Sequence, residues 1–169
     1  MLTLSKGYDG TTKAQVSAGA LSGIVAGETV KLLAVANYDN ATAGTGKTVT
    51  VTYTLDGANA ENYLAPADYV SVQGAITRVG LQVKVNADAK FVGITDESEY
   101  NGVEFTGFVN GEKEADLTGQ LVINRSNSSQ NNAGEYPGVL VASGYSSTNY
   151  EITLSLIHIS EPTRQAESS

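Results

Sequence analysis

The most regular patterning in the chain runs Thr48-Val49-Thr50-Val51-Thr52-Tyr53-Thr54-Leu55, with Val49, Val51, Tyr53 and Leu55 at alternate positions and threonines between them. Side chains point to opposite faces along a strand, so this stretch predicts a strand with one apolar and one wet face. Leu81, Val83 and Val85, separated by Gln82 and Lys84, repeat the pattern. Shorter pieces follow it at Leu2/Leu4, Ala14/Val16, Val30/Leu32/Leu33, Tyr69 to Ile76, Leu117 to Ile123, and Glu151-Ile152-Thr153-Leu154. Glycine, Asn and Asp punctuate them, the chemistry of tight turns. Before Tyr63, the Ala-rich piece Ala58-Asn59-Ala60-Glu61-Asn62 predicts a single helical turn. Pro137 lacks an N–H, so the strand after Gly134 is expected at a sheet edge or only beyond the proline.

One stretch is written twice. Leu21-Ser22-Gly23-Ile24-Val25-Ala26-Gly27-Glu28 returns 84 residues later as Phe105-Thr106-Gly107-Phe108-Val109-Asn110-Gly111-Glu112. Gly10 is echoed by Gly93, and Asn62-Tyr63 by Asn149-Tyr150. The unit reads as strand, turn, strand, with the second glycine taking a positive φ. Landmarks in one order at nearly one spacing predict two tandem homologous modules, 1–78 and 79–153, meeting at Arg78-Val79-Gly80. The fold expected is all-β: two small Ig-like β-sandwich modules, with β-grasp-like modules carrying one short helical turn as the alternative.

Composition narrows the chemistry. With Lys+Arg 10 against Asp+Glu 18, the net charge of −8 repels phosphate backbones and anionic lipid, so neither nucleic acid nor membrane contact by this fragment is expected. Met1-Leu2-Thr3-Leu4 is no signal peptide, so an export signal would lie outside the fragment. There is no cysteine, and the single histidine is His158. Thiol, zinc-histidine and Ser-His-Asp chemistries are therefore not expected, no pair of carboxylates sits in an apolar context, and no catalytic residue, metal ligand or cofactor is assigned. Gly44-Thr45-Gly46-Lys47-Thr48 imitates a phosphate loop but has Ala41 where a glycine belongs, and a strand instead of a helix follows. Asp96-Glu97-Ser98-Glu99 lacks the alternate spacing around a glycine of a calcium loop and reads as solvated charge, as do Glu112, Glu114 and Asp116, interleaved with Lys113. Asn62 reads as a side chain satisfying local backbone, and residues 124–132 as an exposed hairpin connection. Tyr8 and Tyr145 are the two candidate ligand-facing rings, each weighed against a structural role in a chain with no Trp.

Residues 154–169 change character. Leu154-Ser155-Leu156-Ile157-His158-Ile159-Ser160-Glu161-Pro162-Thr163-Arg164 resembles the translated end of a transposon-based sequencing-library adapter, and is set apart from the fold as a non-native tail. Its apolar Leu154, Ile157 and Ile159 nevertheless suit a last strand. The remaining landmarks resemble two bacterial repeat families. Lys6 to Thr12, Leu21 to Val30, the strand from Gly44 and the turn Gly57 to Tyr63 are similar to a YDG domain over residues 1–78. Leu81 to Val85, Phe105 to Glu112, Asn132 to Tyr136 and Ser147 to Tyr150 are similar to an MBG domain over residues 79–153. The resemblance implies non-catalytic tandem repeats of long bacterial surface or secreted proteins of the adhesin kind. On that footing the fragment is expected outside the cell or on its surface, as a stalk or spacer beside neighbouring repeats of the same parent chain, adding weak multivalent adhesion to host or environmental glycans. A carbohydrate-binding module using Tyr145 is the alternative.

Overall fold

In the computed structural model, residues 1–95, 100–130, 132–155 and 157–161 are described, the last five by backbone alone. The acidic run at 96–99 lies outside the described residues. Strands dominate, and among the described residues helix is confined to two 3-10 turns, Ala60–Asn62 and Glu114–Asp116. The first of these is the helical turn expected before Tyr63. The chain divides into two units, Met1–Arg78 and Val79–Ser169.

The first unit holds β1 (Ser5–Gly7), β2 (Lys13–Ala14), β3 (Lys31–Tyr38), β4 (Gly44–Asp56) and β5 (Tyr69–Thr77) in one sheet of order β1-β5-β4-β3-β2. β3 and β4 form an antiparallel hairpin in register from Lys31↔Asp56 to Tyr38↔Val49, and β5 lies antiparallel on the other side of β4. Next to the two edge strands, the chain ahead of β1 meets the chain after β2 in an isolated antiparallel bridge, Leu2↔Val16. Cross-strand partners share a face, which puts Ala36, Tyr38, Val49 and Val51 inside with Tyr8 and Ile76, all nearly inaccessible. On the opposite face the threonines of β4 lie between Leu33 and Val35 of β3 and Val70 and Val72 of β5, which stay exposed. The alternation read from Thr48 to Leu55 is thus the in-out alternation of the sheet.

The second unit has the two layers of a sandwich. A three-stranded sheet of order β11-β6-β8 comprises β6 (Val79–Val85), β8 (Val103–Thr106) and β11 (Tyr150–Ser155). A four-stranded sheet of order β7-β12-β10-β9 comprises β7 (Asp88–Ala89), β9 (Thr118–Arg125), β10 (Gly134–Ser146) and β12 (Ile157–Glu161). Val83 and Val85 of β6 pack with Ile123 of β9 and with Leu140 and Ala142 of β10, and Val103, Phe105, Leu121 and Ile152 lie against that cluster. Burying a Val or Leu side chain stabilises a fold by roughly 1.5–3 kcal/mol, so this small cluster matters to a domain of modest core.

The all-β fold expected is the fold found; two sheets are seen in the second unit and one five-stranded sheet in the first. Other details differ from expectation. The first copy of the stretch written twice, Leu21 to Glu28, is a turn without flanking strands, whereas in the second copy Phe105 lies on β8. Backbone bonding explains the difference at Thr29, whose N–H donates to Asn59 Oδ1 at 3.0 Å and whose C=O accepts from Asn59 N at 3.3 Å, leaving no ladder to extend. Pro137 lies inside β10, not ahead of it, but before Leu140, where pairing with β9 begins, and within the shift of register with β12 between Tyr136 and Leu140, so no ladder needs its missing N–H. The connection after β9 is organised by buried Arg125, whose guanidinium donates to Asn127 Oδ1 at 2.7 Å and Gln130 O at 2.8 Å and lies 5.2 Å from the Tyr136 ring centre. Within the segment set apart as a tail, Ile157–Glu161 form β12, antiparallel to β10 and parallel to β7, the last strand that Ile157 and Ile159 were expected to suit.

Candidate functional site

The duplicated stretch and the duplicated Asn-Tyr prove to be two halves of one device. In the first unit Val25-Ala26-Gly27-Glu28 is a tight turn closed by Glu28 N–H to Val25 O at 3.1 Å. The Tyr63 hydroxyl accepts from Val25 N–H at 2.9 Å and donates to the Glu28 carboxylate. In the second unit Glu112 N–H bonds Val109 O at 3.0 Å, and the Tyr150 hydroxyl accepts from Val109 N–H at 3.1 Å and donates to Glu112 Oε2 at 2.5 Å. A distant tyrosine thus latches each turn by its free backbone donor and its carboxylate.

The turns differ in detail. Only Gly27 has positive φ in the first, the pattern of a type II turn, whereas Asn110 and Gly111 are both positive in the second, as in type I′. Either way the glycine supplies a backbone conformation that other residues adopt at a cost. The latches also differ in burial, for Tyr150 is 3 % exposed while Tyr63 is half-buried. Burial first and Glu112 second raise the Tyr150 phenol above its ordinary value, and the Glu28 hydrogen bond is the main cause of the same shift at Tyr63. Glu28 and Glu112 are accordingly structural acceptors. The recurrence of both residues at matched spacing was the signal available in sequence, but it did not say that Glu and Tyr would meet.

Tyr145, the first ligand-facing candidate, is half-buried. Its hydroxyl donates to the Glu114 carboxylate and its ring lies 5.8 Å from that of Phe105. Burial and then Glu114 push its phenol up to about 12. Phe105 continues to Phe108 at 5.4 Å, and Phe108 meets Tyr150 edge-on at 5.5 Å, so the ring belongs to an aromatic row leading to the latch. With Ala142, Ser143, Gly144, Ile152 and Leu154, Tyr145 lines an open depression of about 260 Å³. Tyr8, the other candidate, is 6 % exposed and lies in the core of the first unit.

Other groups singled out in sequence are engaged locally. Lys47, the lysine of the phosphate-loop imitation, is buried within β4 and donates to Asn40 Oδ1 at 2.5 Å, with Asp39 at 4.0 Å. Asp9 loses solvation, but Lys6 at 2.7 Å together with the N–H and hydroxyl of Thr11 outweighs that loss and holds its carboxyl below the usual range. The backbone role expected of Asn62 is played by Asn59 at Thr29. Among the described residues no three His, Cys, Asp or Glu side chains gather to hold a metal ion, and no helix is long and apolar enough to cross a membrane.

Two all-β units, each locked by the same Tyr-Glu latch, define the class: a tandem β-repeat protein. The family model described as YDG domain matches residues 2–72, and the one described as MBG domain (YGX type) matches residues 81–156. The chain carries a YDG domain and an MBG domain in tandem, two non-enzymatic repeat families of surface-type proteins. No curated protein and no solved structure matches it.

Proposed function

We propose that this chain is a spacer segment of a bacterial surface or secreted adhesin-like protein, standing among further repeats of its parent and adding at most weak multivalent adhesion. The observation that carries this reading is the repeated latch, because the carboxylates and phenols with the most distinctive surroundings are spent on holding turns. An acidic surface suits life outside the cell among like-charged polymers, where it limits non-specific association. The depression beside Tyr145 favours one second reading, a carbohydrate-binding module, since an aromatic wall with polar neighbours is what a sugar ring stacks upon.

A glycan and host-glycoprotein binding screen with the chain displayed multivalently separates the two. The spacer reading expects no reproducible signal that free sugar competes away. A competed signal that Tyr145→Ala abolishes, with the melting temperature preserved, would replace the spacer with the carbohydrate-binding module.

A further inference from the structure

In the first unit the first and last strands, β1 and β5, lie side by side and run parallel, and so do β6 and β11, the first and last strands of the stretch that the MBG model matches, which ends at residue 156 ahead of β12. β1 pairs with β5 through Ser5↔Ala75, Lys6↔Ile76 and Gly7↔Thr77, and the ladder is prolonged by Ala75 N–H to Leu4 O at 2.8 Å and Tyr8 N–H to Thr77 O at 2.9 Å. β6 pairs with β11 through six rungs, from Tyr150↔Val79 to Ser155↔Lys84, with Val79 N–H to Asn149 O at 3.2 Å beyond them. Tension on a chain enters a domain at the start of its first strand and leaves at the end of its last. When those strands are parallel neighbours, the two pulls act at opposite ends of one ladder, and every inter-strand hydrogen bond is loaded together in shear. Were the strands antiparallel neighbours, the pulls would act at one end and break the bonds singly.

We propose that these parallel terminal ladders are mechanical clamps that let each domain carry tension along the chain without unfolding. This goes beyond the spacer reading, since a spacer need not resist load. The latch reinforces the second clamp: Tyr150 occupies the first rung of the β11-β6 ladder, and its hydroxyl is tied to Val109 and Glu112. Sliding β11 along β6 therefore strains the latch as well as the ladder. With six rungs against three, the second domain is the stronger clamp.

The absence of native cysteine lets single-molecule handles be placed at chosen positions of the full chain. Handles at Arg78→Cys and Ser155→Cys pull the β6-β11 ladder in shear, whereas Arg78→Cys and Thr148→Cys pull the same ladder from one end. Forced unfolding reads the barrier along the direction of pull. The clamp predicts a rupture force several-fold higher in the first geometry than in the second. Equal forces, or a lower force in shear, overturn the clamp and leave the spacer reading standing. Gly80→Cys, at an exposed position whose added Cβ meets no atom within 4 Å, replaces Arg78→Cys as the shared handle if the latter fails to fold, and the same comparison applies.

Discussion

A phenol hydroxyl that accepts from a backbone N–H and donates to a carboxylate satisfies three polar groups at once, and its loss strands two of them. Tyr150→Phe takes that partner from the half-buried Val109 N–H and Glu112 carboxylate, at a phenol that is itself nearly inaccessible. The expected cost is about 1–3 kcal/mol, read as a lower urea midpoint at unchanged slope. Tyr63→Phe is expected to cost less, because half-exposed Glu28 and Val25 regain water. The pH dependence follows from the direction of the phenol shifts. Tyr63, Tyr145 and Tyr150 all release their protons at higher pH when folded than the ordinary 10.0. A group raised on folding contributes its full stability below its unfolded value and loses it as pH climbs through the folded one. Stability is therefore predicted to fall from pH 10.0 towards about 12, the folded value at Tyr145. Tyr145→Phe should flatten part of that fall; denaturation midpoints that stay level over the same interval would contradict the assignment.

Turns and strands carry their own tests. Ala at Gly27 or Gly111 must adopt a left-handed backbone, which costs roughly 1–2 kcal/mol, so each substitution should lower the melting temperature of its own domain. Ending the chain after Ser155 removes β12 and unpairs one side of β10 and of β7. Calorimetry is expected to show the second domain destabilised, and an unchanged transition would mean that β12 adds nothing to the sheet. Much at this scale was legible in the sequence. Period-two alternation located β4, β6 and β11, because one face of each meets a core, and the Ala-rich run before Tyr63 marked its helical turn. What alternation does not encode is partnership between strands. Leu33, Val35, Val70 and Val72 have the same chemistry as the core residues beside them, and only the register shows that they face outward. Pro137 stands inside β10 because a register shift there absorbs its missing N–H. Glu112 and Glu114 misled because charge on a loop looks alike whether it faces water or a tyrosine hydroxyl.

Over the whole molecule, the repeat visible in the sequence is a repeat of interactions. The landmarks recur because two domains solve the same problem, fixing a glycine turn against a distant tyrosine, and the YDG and MBG family matches fall one on each domain. Parallel ladders, β1-β5 in one unit and β6-β11 in the other, recur with that repeat, which fits the spacer role proposed above. The Tyr-Glu pairs are structural latches, copied in both domains. Double-mutant cycles test this most directly, pairing Tyr150→Phe with Glu112→Ala and Tyr63→Phe with Glu28→Ala in the full chain. A stabilising coupling is predicted in both cycles, about 1 kcal/mol for the buried pair and smaller for the half-exposed one. Strict additivity in the Tyr150 cycle, with each single substitution costing nothing beyond its own side chain, would contradict the latch.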